Sequence, residues 1–187
     1  MSQKTHQTAI VLSPPEEMWG PIQAIRKVHD RNVRRWMPHV TLVYPFRPRD
    51  GFEDLLDAFS VACREVAPFE VRLANFRSFR HGNRGFTMWL APEPPENLNT
   101  LQTALWEVVP DCDEVRRHSG EFTPHMSVGQ ARREGAMLKV LTDLDVEWEP
   151  IVFQAEAVNL IWRNDPPDDV FRVAYSVCLG TGEIVPG

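Results

Sequence analysis

Residues 37–46 read MPHVTLVYPF, and residues 123–130 read TPHMSVGQ. Each stretch contains, in the same order, a proline, a histidine, an apolar residue, a hydroxyl residue and a second apolar residue. The two histidines, His39 and His125, stand one in each half of a chain of 187 residues. This agreement suggests that a larger unit of the chain is repeated.

The segments that follow the two motifs also correspond. Asn75 follows His39 at nearly the same distance at which Asn159 follows His125, and the apolar runs FTMWL and FRVAYSV then follow at matching distances. Two copies are too few for a solenoid, which needs at least three repeats to bury its core. We therefore predict a duplicated unit, with repeat one at about 37–92 and repeat two at about 123–180.

Hydrophobic periodicity and breaker residues predict a mixed α+β chain. Strands are predicted at 8–12, 39–44, 69–79, 85–90, around His125, at 151–162 and at 170–179, and helices at 19–32, 52–66, 97–108 and 134–145. The whole chain, 1–187, is then one domain of two pseudo-symmetric lobes, in which each histidine strand faces a shared cleft. With 43% hydrophobic residues it can bury a core of its own, so we expect a monomer.

Strand geometry fixes which motif side chains point the same way. Successive residues of a strand point to opposite faces, so His39 and Thr41 share one face, and His125 and Ser127 share one face. If the two strands face each other, the cleft contains two imidazoles and two hydroxyl groups.

These groups suit displacement at a phosphodiester. An imidazole with an ordinary pKa near 6.5 can act as a base in one copy and as an acid in the other. Hydroxyl groups can donate hydrogen bonds to phosphoryl oxygens. A zinc site built from His39 and His125 would need one or two more ligands, and neither motif supplies them. We therefore expect no metal and no other cofactor.

Three other residues are candidates for substrate binding. Arg163, at the end of a predicted strand in repeat two, is expected to contact a phosphate, and Arg77 and Arg80 end the matching strand of repeat one. Phe46 could stack on a base at the mouth of the cleft. Tyr44 would point away from Thr41 and pack in the core unless a bulge intervenes. If there is a bulge, Tyr44 is also a candidate for substrate binding.

The remaining histidines carry no such pattern. His6 lies in the N-terminal segment, His29 on a charged helix, and His81 and His118 in predicted loops. We expect these four to be ordinary surface or packing residues.

Charge and cysteine content limit the class of protein. A net charge of -6 argues against a surface that coats nucleic acid or an anionic membrane. The charge is polarised, since residues 26–49 contain seven basic residues and one acid, which could steer an anionic ligand towards the first motif or could form surface salt bridges. Three cysteines without metal-ligand spacing, and a short apolar run at the N-terminus, favour a cytoplasmic protein with free thiols.

The two motifs, HVTL and HMSV, in a duplicated α+β chain of this size resemble the 2H phosphoesterase superfamily of 2′-5′ RNA ligase-like proteins and cyclic phosphodiesterases. The resemblance extends from TAIVL to AYSVCLG. It implies antiparallel sheets that line a central cleft, helices packed outside, and metal-independent chemistry. It also implies that His39 and His125 are catalytic and that Thr41 and Ser127 hold the phosphate.

The sequence is thus interpreted as that of a phosphodiesterase acting on a 2′,3′-cyclic phosphate or a 2′-5′ linkage at a nucleotide or short RNA end, with a role in RNA processing. An alternative is a module of the same fold that binds nucleotides or RNA ends without turning them over. A metal-dependent hydrolase is a third reading, for which the sequence offers no ligands.

Overall fold

The computed structural model describes residues 3–116 and 121–187, so the prediction for His118 lies outside the described residues. Four α-helices have the following bounds: α1 Trp19–His29, α2 Glu53–Arg64, α3 Pro95–Val108 and α4 Glu134–Glu147. Nine strands have these bounds: β1 Thr8–Leu12, β2 Val40–Val43, β3 Phe69–Arg80, β4 Phe86–Glu93, β5 Met126–Ala131, β6 Ile151–Ala155, β7 Ala157–Trp162, β8 Arg172–Cys178 and β9 Ile184–Pro186.

The strands form two antiparallel sheets. One sheet has five strands in the order β2-β1-β7-β8-β9, and the other has four in the order β5-β4-β3-β6. Helices α2 and α3 pack on the first sheet, and α1 and α4 pack on the second. We call these units the five-stranded lobe and the four-stranded lobe. The predicted α+β fold with antiparallel sheets is confirmed.

Each lobe combines strands from both halves of the chain. The strand of the first motif, β2, lies in the same sheet as β7 and β8, which follow the second motif. The strand of the second motif, β5, pairs with β4, which follows the first motif. A lobe therefore does not coincide with a sequence repeat, and the repeat boundaries stay a prediction.

Two predicted features of the C-terminal part were wrong or incomplete. The single strand expected at 151–162 is two strands, β6 and β7, which belong to different sheets. The break falls at Glu156, whose carbonyl accepts a hydrogen bond of 2.7 Å from the backbone N–H of Leu179. Because apolar alternation continues on both sides of Glu156, periodicity alone did not reveal the change of sheet. Strand β9 was not predicted.

Both motif strands contain a bulge just after the hydroxyl residue. In β2, Thr41 pairs with Val11 and Val43 pairs with Ile10, so that one residue of β1 faces two of β2. A bulge of this kind changes which face the following residues occupy. As a result Tyr44, three residues after Thr41, lies on the same face as Thr41.

The second motif strand has the same irregularity. Ser127 pairs with Trp89 and Gly129 pairs with Met88 on β4. Gln130 is thereby brought to the face of Ser127, at the position that matches Tyr44 in the first motif. The two motif strands approach each other where the sheets meet, with Cα atoms within 8 Å.

Helix α1, which precedes the first motif, closely approaches the strand of the second motif, β5. A side chain at Gly129 would place its Cβ 2.6 Å from the Cβ of His29, the last residue of α1. Only glycine allows the end of this helix to lie against the strand of the second motif. Within the described part of the chain, no helix is both long and apolar enough to cross a bilayer.

Candidate active site

The two motif histidines are held in the same way. The Nδ1–H of His39 donates to the carbonyl of Met37 at 2.6 Å, and the Nδ1–H of His125 donates to the carbonyl of Thr123 at 2.9 Å. Because a carbonyl only accepts, each neutral ring must carry its proton on Nδ1. Nε2 is then left as the acceptor nitrogen, and the orientation of each ring is set by its own backbone two residues earlier.

Burial lowers the pKa of both imidazoles. Desolvation is the main cause for His39, whose pKa falls to about 4, and smaller contributions that lower it come from the charges of Arg26 and His125. Desolvation also lowers the pKa of His125, with a further lowering from His81. The two rings stand on different lobes, at the start of strands whose Cα atoms come within 8 Å of each other.

The motif hydroxyls lie on the cleft faces of their sheets. In the five-stranded sheet Thr41 pairs with Val11 of β1, which pairs in turn with Asn159 of β7. In the four-stranded sheet Ser127 pairs with Trp89 of β4. Both side chains are partly exposed. In the described part of the chain neither hydroxyl has a protein hydrogen-bond partner, so both can donate to a ligand.

An aromatic wall flanks His39. Trp36 stacks on its ring, with centroids 4.6 Å apart and planes 16° from parallel. Phe171 lies 3.8 Å from the centroid of Trp36, and Tyr44 meets Trp36 edge-on at 5.5 Å. Tyr44 also contacts the ring of His6 at 5.1 Å. The bulge thus places Tyr44 in the cleft, which is the condition under which it was a candidate.

A second aromatic wall flanks His125. Phe79 and Trp89 stack with centroids 4.7 Å apart, and the ring of His125 lies edge-on to Phe79 at 5.0 Å. Arg77 pairs with Trp89 across the strands and shares this face of the sheet. Each imidazole is therefore supported by aromatic rings of its own lobe.

A buried ion pair lies behind the site. Arg26 and Asp30 are each 2% exposed, and the guanidinium meets the carboxylate at 2.8 Å. The other Asp30 oxygen accepts hydrogen bonds from the backbone N–H of Asn32 at 2.9 Å and from Gln130 at 3.0 Å. Arg26 also donates to the carbonyl of Trp36 at 2.9 Å. The pair thus links Gln130 of one lobe to the tryptophan that stacks on His39 in the other.

Arg163 stands at the rim of the cleft. Its guanidinium lies 5.6 Å from the ring of Phe171 and donates to the carbonyls of Asn164 and His6 at 3.0 and 3.4 Å. Burial raises the pKa of Tyr44, and the positive charge of Arg163 partly offsets this by lowering it. The hydroxyl of Tyr44 donates to the same carbonyl of His6 at 3.3 Å, so the two side chains lie close together.

Phe46 cannot stack on a base, and that prediction was wrong. Its side chain is 0% exposed and packs against Phe52 and Phe59 in the main core. Phe46 lies beyond the end of β2, where its backbone pairs with Thr5 and its ring turns to the core side.

Four of the seven basic residues between 26 and 49 form ion pairs, and one of them is Arg26. Asp169, only 1% exposed, forms ion pairs with both Arg34 and Arg35, and Arg47 pairs with Asp111 at 2.5 Å. For these residues the alternative of surface salt bridges is therefore correct. Less positive charge remains to steer an anionic ligand than the sequence suggested.

The sequence analysis missed several residues of the site. Trp36, Phe79 and Trp89 carry no motif, and an arginine within a charged helix is typical of a solvated face. Gln130 could have been found, because it aligns with Tyr44 when the two motifs are superposed. In residues 3–116 and 121–187, no three His, Cys, Asp or Glu side chains are grouped so as to hold a metal ion.

The family model of the 2′-5′ RNA ligase superfamily matches residues 14–167. This match, together with a curated relative of the same class, places the chain among the phosphoesterases. The chain belongs to the 2′-5′ RNA ligase superfamily, which confirms the resemblance drawn from the two motifs.

Individual proteins agree with this assignment. A candidate phosphoesterase of Geobacillus kaustophilus (strain HTA426) is 26% identical over 133 residues, which cover 65% of this chain and 67% of that protein. The structure of E. coli LigT with phosphate has a TM-score of 0.61 at 17% identity, covering 95% of this chain and 99% of LigT. The protein TT0787 of Thermus thermophilus has a TM-score of 0.60 at 18% identity, covering 94% and 99%. At these identities the two structures show a shared fold.

Proposed function

We propose that this chain is a metal-independent phosphodiesterase that opens a 2′,3′-cyclic phosphate, or cleaves a 2′-5′ linkage, at a nucleotide or short RNA end. One observation carries the proposal. Both motif imidazoles donate Nδ1–H to the carbonyl two residues earlier and leave Nε2 for a proton transfer. A hydroxyl two residues later lies on the same face of each strand.

The reaction follows from these positions. The neutral imidazole of one motif takes a proton from water through Nε2 while the water oxygen attacks phosphorus. The bond from phosphorus to the 2′ or 3′ oxygen breaks, and the imidazolium of the other motif gives its proton to that oxygen. The product is a phosphomonoester, and the two rings have exchanged protonation states. Thr41 and Ser127 donate to the non-bridging oxygens, where negative charge develops.

A nucleotide is the ligand class that the relatives favour. LigT has been solved with phosphate, with 3′-AMP and with ATP. In the present chain, Tyr44 and Arg163 would contact the base or the phosphate at the rim.

Histidine substitutions test the proposal. His39→Ala and His125→Ala should each lower kcat for a nucleoside 2′,3′-cyclic phosphate by about 10²- to 10⁴-fold, measured in excess chelator. The double variant should be little worse than either single variant, because residues that act as a unit do not contribute additively. Asp143→Asn is the control, because this side chain is 62% exposed on α4.

Three outcomes would contradict the proposal. One is a motif variant that keeps wild-type turnover. Another is a wild-type protein that binds a nucleotide in calorimetry but opens no cyclic phosphate, which would favour the non-catalytic binding module. The third, activity lost in chelator and restored by a divalent metal, would favour the metal-dependent hydrolase.

A further inference from the structure

The geometry points to a second anion-binding site next to the cleft, which takes the phosphate on the 5′ side of the terminal nucleotide in a short RNA. It is a cavity of about 260 Å³ where β1 begins and β7 ends. This volume is below the roughly 300–1,000 Å³ of pockets for drug-sized ligands and suits a phosphate with its sugar. The residues that the argument uses are Gln3, Thr5, Gln7, Arg49, Trp162 and Arg163. The inference rests on the proposed function.

Arg49 supplies a guanidinium that is already positioned. Its Cζ lies 3.6 Å from the centroid of Trp162, so the indole supports the flat guanidinium group. Within the described residues, the Arg49 side chain has no hydrogen bond and no carboxylate within ion-pairing distance. Its N–H donors are therefore available to an anion.

Arg163 supplies a second guanidinium without a carboxylate partner in the part of the chain described. It donates only to the backbone carbonyls of Asn164 and His6. The other arginines nearby are committed, because Arg172 pairs with Asp168 and the ion pairs of Arg34, Arg35 and Arg47 occupy those side chains.

The rest of the cavity lining is neutral. Gln3 and Thr5 line it with free donors, whereas the side-chain amide of Gln7 donates to Asp165 at 2.7 Å, a carboxylate that does not itself line the cavity. The neighbouring cavity of about 600 Å³ shares Arg49 but is lined by Asp50 and Glu53. Repulsion by these carboxylates would direct an anion to the smaller cavity.

The second site is continuous with the cleft. The guanidinium of Arg163 and the hydroxyl of Tyr44 both reach the carbonyl of His6, at 3.4 and 3.3 Å. Tyr44 shares the face of Thr41, which we place on the reacting phosphate. A chain that leaves this phosphate past Tyr44 therefore meets Arg163 first and Arg49 next. This order suits the backbone of a single strand that extends in the 5′ direction.

The test compares a dinucleotide that ends in a 2′,3′-cyclic phosphate with the matching mononucleotide. We expect kcat/KM to favour the dinucleotide by about tenfold or more, as one charge-assisted hydrogen-bonded contact would provide. In Arg49→Gln this ratio should fall to near one. The salt slope of log kcat/KM for the dinucleotide should become shallower by about 0.7, the value for one phosphate contact on a single strand.

Arg172→Gln is the matched control. Arg172 lies 5.7 Å from the same indole, but it is paired with Asp168 and does not line the cavity. This variant should keep the preference for the dinucleotide. A third substrate, the mononucleotide 2′,3′-cyclic phosphate with an added 5′-phosphate, separates the sources of the anion. If the second site binds the phosphate alone, its kcat/KM should lie between those of the plain mononucleotide and the dinucleotide.

The outcomes separate this inference from the proposed function. If the wild type turns over both substrates equally, or if Arg49→Gln keeps the preference, the second site is refuted while the phosphodiesterase stands. If neither substrate is opened, calorimetry with a dinucleotide 3′-phosphate decides. Weaker binding to Arg49→Gln than to the wild type then supports the site, and equal binding overturns it.

Discussion

Breaking the buried ion pair should be among the most damaging single changes outside the motifs. In Arg26→Met the helix keeps a side chain of similar length, but Asp30 loses both contacts to the guanidinium at 2.8 and 2.9 Å. The carboxylate keeps only the donors of Asn32 and Gln130. Removing one partner of a buried pair typically costs about 3–5 kcal/mol, because the other charge stays buried without compensation.

The expected loss is large enough to measure by thermal unfolding. For a chain of this size, about 3–5 kcal/mol corresponds to a midpoint lowered by roughly 6–20 °C. Unfolding can be followed by circular dichroism and by the fluorescence of the six tryptophans. The double variant Arg26→Met with Asp30→Leu removes both charges and should recover most of the loss, since no charge is then left unpaired.

The chain offers a matched control. Lys139 and Asp143 also form an i,i+4 ion pair in a helix, but their side chains are 76% and 62% exposed. Asp143→Asn should leave the midpoint within experimental error, because solvent screens an exposed pair. If Arg26→Met were no more damaging than this control, the buried pair would not stabilise the junction behind the site.

Four further predictions concern pH, packing and phosphate binding. Because the pKa of His39 is about 4 in the folded state and near 6.5 when unfolded, its contribution to stability is complete above pH 6.5 and is lost as the pH falls towards 4. The free energy of unfolding, measured with denaturant, should therefore fall less between pH 7 and pH 5 for His39→Asn than for the wild type. The profile of kcat/KM should be bell-shaped and centred below pH 6.5, since burial lowers the pKa of both imidazoles; a centre above pH 7 would contradict this. Thr41→Val and Ser127→Ala should lower the height of that profile without changing its shape, and a changed shape at full height would remove both from phosphate binding. Gly129→Ala should cost about 1–3 kcal/mol because its Cβ would overlap the end of α1, whereas Gly135→Ala, with open space around it, should change stability by no more than about 1 kcal/mol; equal unfolding midpoints would show that α1 can move away.

Local chemistry made the motifs readable from the sequence. The alternation of a strand places an imidazole and a hydroxyl two residues later on one face, whatever the rest of the fold does. The hydrogen bond from each Nδ1 to a carbonyl two residues earlier is equally local. The α+β class and the superfamily could therefore be predicted, and so could the bounds of most helices.

Tertiary structure decided the features that depend on pairing between distant segments. A bulge in β2 shows itself only against β1, and it determines that Tyr44 enters the cleft. Phe46 is buried because its backbone pairs with Thr5, far away in the sequence. The contact of Asp30 with Gln130 joins segments far apart in the sequence, so nothing near Arg26 signals its burial. Sheet membership is likewise a matter of long-range hydrogen bonds. For that reason only the folded chain reveals that β2 joins β7 and β8 while β5 joins β3 and β4, so that each lobe is built from both halves of the sequence.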